Sequence, residues 1–274
     1  MRFAVLLIAS AAMAQDLAPQ GAAAMREGRF EDAEGIYRKM LKQTPNNPKV
    51  RLNLGLALYS AGKYAQAIPE LGAYLKAEPQ PGPVYLVTGT AHLKLRRFCD
   101  AIAPLEKARV WQASPQVSTE LGDAYQGCKR YEEAAKAYLA ANQPRAAARA
   151  FWQARAYAEA KPLYDSLASS NAADAEFLYE FGDTLARLDG AAAGIPHLER
   201  SLQIAPALIP ARGALGRALL EVGRAAESIP HLSAAAPADV TLLLPLSRAY
   251  KATGRLEEAA RVEAEYKKKV SAQN

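Results

Sequence analysis

The sequence predicts an all-α protein, a solenoid of about eight stacked helix–turn–helix repeats. Three observations predict it. The chain is rich in Ala and 50% hydrophobic, with only 8% aromatic residues. Ala is the strongest helix former and the smallest side chain that still buries a methyl group. One block then recurs along the chain, reading aromatic, two residues, Ala, three residues, bulky. Finally, Gly and Pro punctuate the copies at constant offsets from that Ala.

The block appears as Phe30, Ala33, Tyr37; Tyr64, Ala67, Leu71; Phe98, Ala101, Leu105; Tyr131, Ala134, Tyr138; and Tyr157, Ala160, Tyr164. Its alanines are spaced 34, 34, 33 and 26 residues apart, and three degenerate copies centre on Gly194, Ser228 and Ala259, spaced 34, 34 and 31. Twelve residues before the Ala position stands a small residue: Gly21, Gly55, Gly89, Gly122, Gly182 and Gly216, replaced by Ala148 and Ser247 in copies five and eight. Each repeat therefore reads as a helix A, a turn, a helix B and a second turn. Gly28, Gly62, Gly223 and Gly254 fall in the A–B turn, where a left-handed residue ends a helix. Pro45, Pro79 and Pro206 follow helix B and stop it. Pro69, Pro104, Pro162, Pro196 and Pro230 sit two or three residues after the Ala position and are expected in the first turn of helix B, where a missing N–H costs little.

The pattern places repeats one to four in residues 15–140, a shortened repeat five in 141–174, repeats six to eight in 175–269, and a tail in 270–274. Repeat five lacks eight residues. Its helix A, near Arg145 to Gln153, is expected to be truncated, with a division of the array there.

A 34-residue period carrying Leu54-Gly55-Leu56-Ala57-Leu58, Leu121-Gly122-Asp123-Ala124-Tyr125, and Ala33 with Tyr37 and Pro45 resembles the tetratricopeptide repeat. The large Trp common at the start of that family's helix A is missing. The resemblance implies a right-handed α-solenoid whose A helices line a concave, partner-binding groove. Its groove positions give Leu52, Asn53, Leu56, Tyr59, Leu86, Val87, Thr90 and Leu93 in repeats two and three, an apolar stretch. Repeats four and six contribute Thr119, Glu120, Asp123, Gln126, Glu180 and Asp183. Repeats five, seven and eight contribute Arg149, Trp152, Arg217 and Arg248. Trp152 beside Arg149 reads as an anchor pair, since Trp and Arg dominate interface energetics. Some members hold a C-terminal carboxylate with a fixed Lys/Asn/Arg set; here Ala18 and Ala22 stand at the first two places and only Asn53 matches. In stacked units of this kind, Cys99 at the start of one helix B and Cys128 at the end of the next helix A are neighbours. They read as a disulfide or as two buried thiols.

Chemistry is otherwise sparse. There is no phosphate-binding Gly loop, no zinc-protease motif and no nucleophile elbow, so no catalytic or metal site and no cofactor is expected. His197 and His231 share one repeat position and read as solvated side chains; His92 reads as a packed residue. The net charge is a mild +6, with 34 Lys and Arg against 28 Asp and Glu and no basic stripe, which argues against nucleic acid as a partner. The expected partner is a protein or peptide, with no stable membrane insertion, and the expected role a non-catalytic scaffold. An accessory subunit of an envelope enzyme, secretion or cell-wall assembly is the alternative.

The first residues read as an export signal. Arg2 supplies a positive start, Phe3 to Ile8 an apolar run, and Ala12-Met13-Ala14 a small-x-small cleavage pattern ahead of Gln15-Asp16. The short, Ala-rich form suggests a bacterial periplasmic or secreted protein. N-terminal sequencing of the exported protein is expected to begin at Gln15, with cleavage after Ala14; retention of Met1 would contradict the reading.

Overall fold

The computed structural model describes residues 17–79 and 82–271, so the export signal expected at 1–14 lies outside the described residues. Sixteen α-helices and no strand occur among them. Helices α1 (17–26), α2 (Phe30–Gln43), α3 (Pro48–Ser60), α4 (Tyr64–Ala77), α5 (Gly82–Lys94), α6 (Phe98–Trp111), α7 (Pro115–Gly127) and α8 (Tyr131–Ala140) belong to one compact unit, Met1–Gln143. Helices α9 (Pro144–Gln153), α10 (Tyr157–Leu167), α11 (Ala175–Leu188), α12 (Ala191–Ile204), α13 (Ile209–Glu221), α14 (Ala225–Ala235), α15 (Leu243–Ala252) and α16 (Leu256–Ser271) belong to a second, Pro144–Asn274. A short 3₁₀ turn, Val240–Leu242, leads into α15. Odd-numbered helices are A helices and even-numbered ones are B helices, which makes eight hairpins.

Each hairpin closes around one recurring pair. The small residue of helix A lies sixteen positions before the bulky residue of helix B, and the two are in contact. A Cβ built on Gly55 would stand 2.7 Å from the Leu71 side chain; on Gly89, 2.5 Å from Leu105; on Gly122, 2.5 Å from the Tyr138 ring; on Gly216, 2.7 Å from Leu232. Real Cβ atoms do not approach so closely, so these crossings require the missing side chain. In the eighth hairpin Ser247 takes the place, and its hydroxyl donates to Glu263 at 2.8 Å.

The turns obey a second rule. Every A–B turn contains a residue in the left-handed region: Gly28, Gly62, Gly190, Gly223 and Gly254, but Arg96, Lys129 and Arg155 in hairpins three to five. A left-handed residue there costs a side chain on the order of 1 kcal/mol. Three of the A helices, α3, α7 and α11, begin with conventional caps. The Asn47 side chain accepts from the backbone N–H groups of Lys49 and Val50, Ser114 from Val117, and Asp174 from Phe177.

Two expectations need correction or refinement. The five helix-B prolines lie not in the first turn but inside α4, α6, α10, α12 and α14. Each removes one backbone hydrogen bond. The residues four positions earlier, Ala65, Asp100, Ala158, Ala192 and Ala226, are all exposed, so water is available to the released carbonyl groups. The missing eight residues of repeat five are also shared out. Helix α9 has 10 residues where α3, α5 and α7 have 13, and α8 has 10 where α2, α4 and α6 have 14. The shortening thus falls on both sides of the junction at residues 141–143, where Asn142 is a further left-handed residue.

Gly122→Ala is expected to destabilise the protein by about 1–3 kcal/mol, because the new methyl group collides with a ring that is itself packed. Gly35→Ala, on α2 with open space around its Cβ position, is expected to stabilise by up to about 1 kcal/mol through helix propensity. Urea denaturation of both variants checks the pair; equal effects would show that the hairpin crossing is not selective for glycine.

Candidate binding faces

In the first unit the A helices carry the expected row. Asn53 is exposed, whereas Leu52, Leu56, Tyr59 and Val87 are partly buried and pack on the unit's own core. The apolar stretch is therefore partly committed to packing. Tyr59 meets Tyr64 edge-on at 5.4 Å between ring centroids. Burial pushes its phenol up from the ordinary value, and the Glu120 charge adds to the effect. Leu86 and Thr90 are half-buried on α5. The Thr90 hydroxyl reaches both the Leu86 carbonyl, at 2.9 Å, and the Glu120 carboxylate; its single proton serves one of them at a time.

Between α5 and α7 lies a cavity of about 440 Å³, lined by Thr90, Leu93, Lys94, Glu120, Asp123 and Gln126 among others. Gln116 donates to Glu120 at 3.1 Å, and the Tyr138 hydroxyl donates to Asp123 at 2.8 Å. Burial and then the Asp123 carboxylate push the Tyr138 phenol well up. Gln143 donates to Thr119 at 2.8 Å. At the rim Cys99, near the start of α6, and Cys128, the C-cap of α7, form a disulfide with Cα atoms 5.1 Å apart. Their neighbours Phe98 and Gly127 line the cavity, and a Cβ on Gly127 would fall 2.1 Å from the Phe98 ring.

The second unit treats its row differently. Glu180 is buried, with 2% of its side chain exposed, rather than open on a groove. It accepts from Arg145 and from the Tyr164 hydroxyl at 3.1 Å, and it forms an ion pair with Arg149, whose Nε stands 3.1 Å away. Burial pushes the Glu180 carboxyl up, against the pull of the two guanidinium groups. Arg149 also pairs with the exposed Glu176 at 3.1 Å. Trp152 donates its indole N–H to Asp183 at 2.9 Å and stands edge-on to Tyr179 at 5.4 Å. Asp183 is buried too, with Arg187 at 3.5 Å and Arg217 at 3.9 Å. Arg149 and Trp152 thus work as struts between α9 and α11.

Arg217 and Arg248 have a different setting. Both line a cavity of about 700 Å³ between α13 and α15, with Leu220, Leu242 and Pro245 on its walls and Glu221 among its lining residues. Arg248 is exposed and makes no hydrogen bond or ion pair among the described residues.

Sequence reasoning missed Arg145, whose guanidinium lies over the Phe177 ring at 5.2 Å. It missed Tyr164 as a polar partner, although the sixteen-residue offset from Ala148 points to it. It also missed Trp111, 55% exposed beside a cavity that Tyr85 and Lys107 share, because that Trp lies outside the repeated positions. His197 and His231 are partly buried rather than solvated as expected, and His92 is partly buried too. His197 packs on Phe181 at 4.6 Å, burial lowers the basicity of His92, His197 and His231, and Nδ1 of His92 and of His231 is buried without a hydrogen-bond partner among the described residues. Among the described residues no three His, Cys, Asp or Glu side chains are grouped to hold a metal.

Two segments, residues 24–88 and 115–143, match tetratricopeptide-repeat families. The chain is 33% identical over 113 residues to a TPR repeat-containing protein of Methanocaldococcus jannaschii, a match covering 41% of this chain and 20% of that protein. It is 32% identical over 95 residues to the Hsp70-Hsp90 organizing protein of Triticum aestivum, covering 35% of this chain and 16% of that one. The chain thus spans a fifth or less of these relatives. The C-terminal part of a TPR repeat-containing protein from Cytophaga hutchinsonii shares the fold, with a TM-score of 0.53 at 13% identity, covering 81% of this chain and 95% of that one.

Glu180→Ala is expected to cost about 2–4 kcal/mol, since it strips a buried hydroxyl and a partly buried guanidinium of their shared acceptor. Glu176→Ala, at an exposed pair, is expected to cost less than about 0.5 kcal/mol. Chemical denaturation distinguishes them; similar losses would make the Glu180 cluster no more than a surface feature.

Proposed function

We propose that the chain, a tetratricopeptide-repeat protein, is a non-catalytic scaffold that binds a protein or peptide along the exposed faces of its A helices, in a bacterial cell envelope. One observation carries the reading. Within each unit a cavity opens between successive A helices and is lined by repeat-equivalent positions: Thr90, Glu120 and Asp123 between α5 and α7, and Arg217 and Arg248 between α13 and α15. Concave sites with a few polar groups on apolar walls are what partner side chains enter. The wheat relative supports the reading, since its name describes a protein that organizes others. The envelope location rests on the N-terminal export pattern. No described helix is long and apolar enough to cross a membrane.

The test is selection of random displayed peptides against the full chain, followed by hydrogen exchange of the selected complexes. Protection is expected in α3, α5 and α7 or in α13 and α15. Tyr59→Ala or Arg248→Ala is expected to weaken the peptides that protect the respective unit by about tenfold, the scale of an anchor residue. Protection confined to B helices would sink the reading.

A further inference from the structure

We infer that the cleft between α13 and α15 receives an extended peptide segment through one acidic side chain flanked by aliphatic residues, with Arg248 as the anchoring cation. The inference rests on the scaffold reading above and names the chemistry of its partner.

Most of the charges of the second unit are already paired. Glu180 is used by Arg145 and Arg149, and Glu176 by Arg149. Asp183 takes the Trp152 indole and Arg187, and meets Arg217 only at 3.9 Å. Arg217 therefore has one loose partner and Arg248 none among the described residues. Both guanidinium-bearing side chains line one cavity of about 700 Å³. Its one acidic lining residue, Glu221, forms no ion pair among the described residues, so it answers neither arginine. The cleft keeps a positive balance that suits a single carboxylate better than two.

The walls set the rest of the ligand. Leu220 stands on the α13 side, and Leu242 and Pro245 on the α15 side. Apolar surface on both walls asks for an aliphatic group on each side of the carboxylate. An internal acidic side chain meets that requirement, whereas a chain terminus offers residues on one side only. Removal of solvent by those walls strengthens a guanidinium–carboxylate pair beyond its value on an open surface.

The probes are three fluorescein-labelled pentapeptides: an amidated peptide with a central glutamate between leucines, its amidated glutamine counterpart, and the glutamine peptide with a free C-terminal carboxylate. Fluorescence polarization with the full chain at low salt is expected to show the glutamate peptide binding about five- to tenfold tighter than the amidated glutamine peptide. The free-terminus peptide is expected to bind like its amide. Arg248→Gln, at an exposed position, is expected to bring the glutamate and glutamine peptides within twofold of each other while leaving the denaturation midpoint unchanged. Added salt is expected to narrow the wild-type preference.

Equal binding of glutamate and glutamine peptides, no saturable binding of either, a preference carried by the free terminus, or a preference that survives Arg248→Gln would each overturn the inference. None of these touches the scaffold reading by itself. That reading fails separately, if selected peptides protect only B helices.

Discussion

A single crossing supports the architecture: the small residue of helix A against the bulky residue sixteen positions later on helix B. The ridges of two helices normally keep their axes 8–10 Å apart, and a residue without a side chain at the crossing allows the lower end of that range. Leu71, Leu105, Tyr138, Leu198 and Leu232 can then lie across the partner backbone rather than beside it. All five are buried. Hydrophobic burial in a repeat protein comes in such modest portions, so an array needs the crossing repeated rather than one large core.

That dependence explains how much was legible in the sequence. Outside the eighth hairpin the crossing uses only Gly, Ala, Leu and aromatic residues at constant offsets, and an offset can be counted. Eight hairpins, the glycine turns at Gly28, Gly62, Gly223 and Gly254 and the stops after helix B follow from counting, whereas the left-handed Arg96, Lys129 and Arg155 carry no such mark. The helix-B prolines show where counting ends. Their spacing was plain, but their place within the helix depends on where the first turn begins, and no side chain caps the helices α4, α6, α10, α12 and α14. With no capping residue to mark the start, proline spacing alone does not fix the first turn.

The candidate faces were legible in position but not in use. Glu180, Asp183, Arg149 and Trp152 occupy the helix-A positions that the resemblance implies for the groove, yet they bond to one another and brace α9 against α11. A periodic pattern says which way a residue points; it does not say whether a neighbouring element has already taken its charge. Arg145 and Tyr164, which complete the brace, show this most clearly, because neither stands at a groove position. By the same logic Arg217 and Arg248 stand apart. Among the described residues Arg217 meets only Asp183, at 3.9 Å, and their helix neighbour Glu221 pairs with neither arginine.

The cross-link between Cys99 and Cys128 adds something the repeats lack. It ties together residues 29 apart in sequence, enclosing most of α6 and all of α7. Suppose the chain is drawn out between its ends, as an anchored scaffold is when its partner moves. Each unlocked repeat can surrender its whole length. The enclosed segment cannot, and it withholds about 100 Å of contour from the extension, taking roughly 3.4 Å per residue. Phe98 and Gly127, which line the α5–α7 cavity, adjoin the two cysteines, so that side of the cavity's rim belongs to the portion of the chain that tension lengthens least.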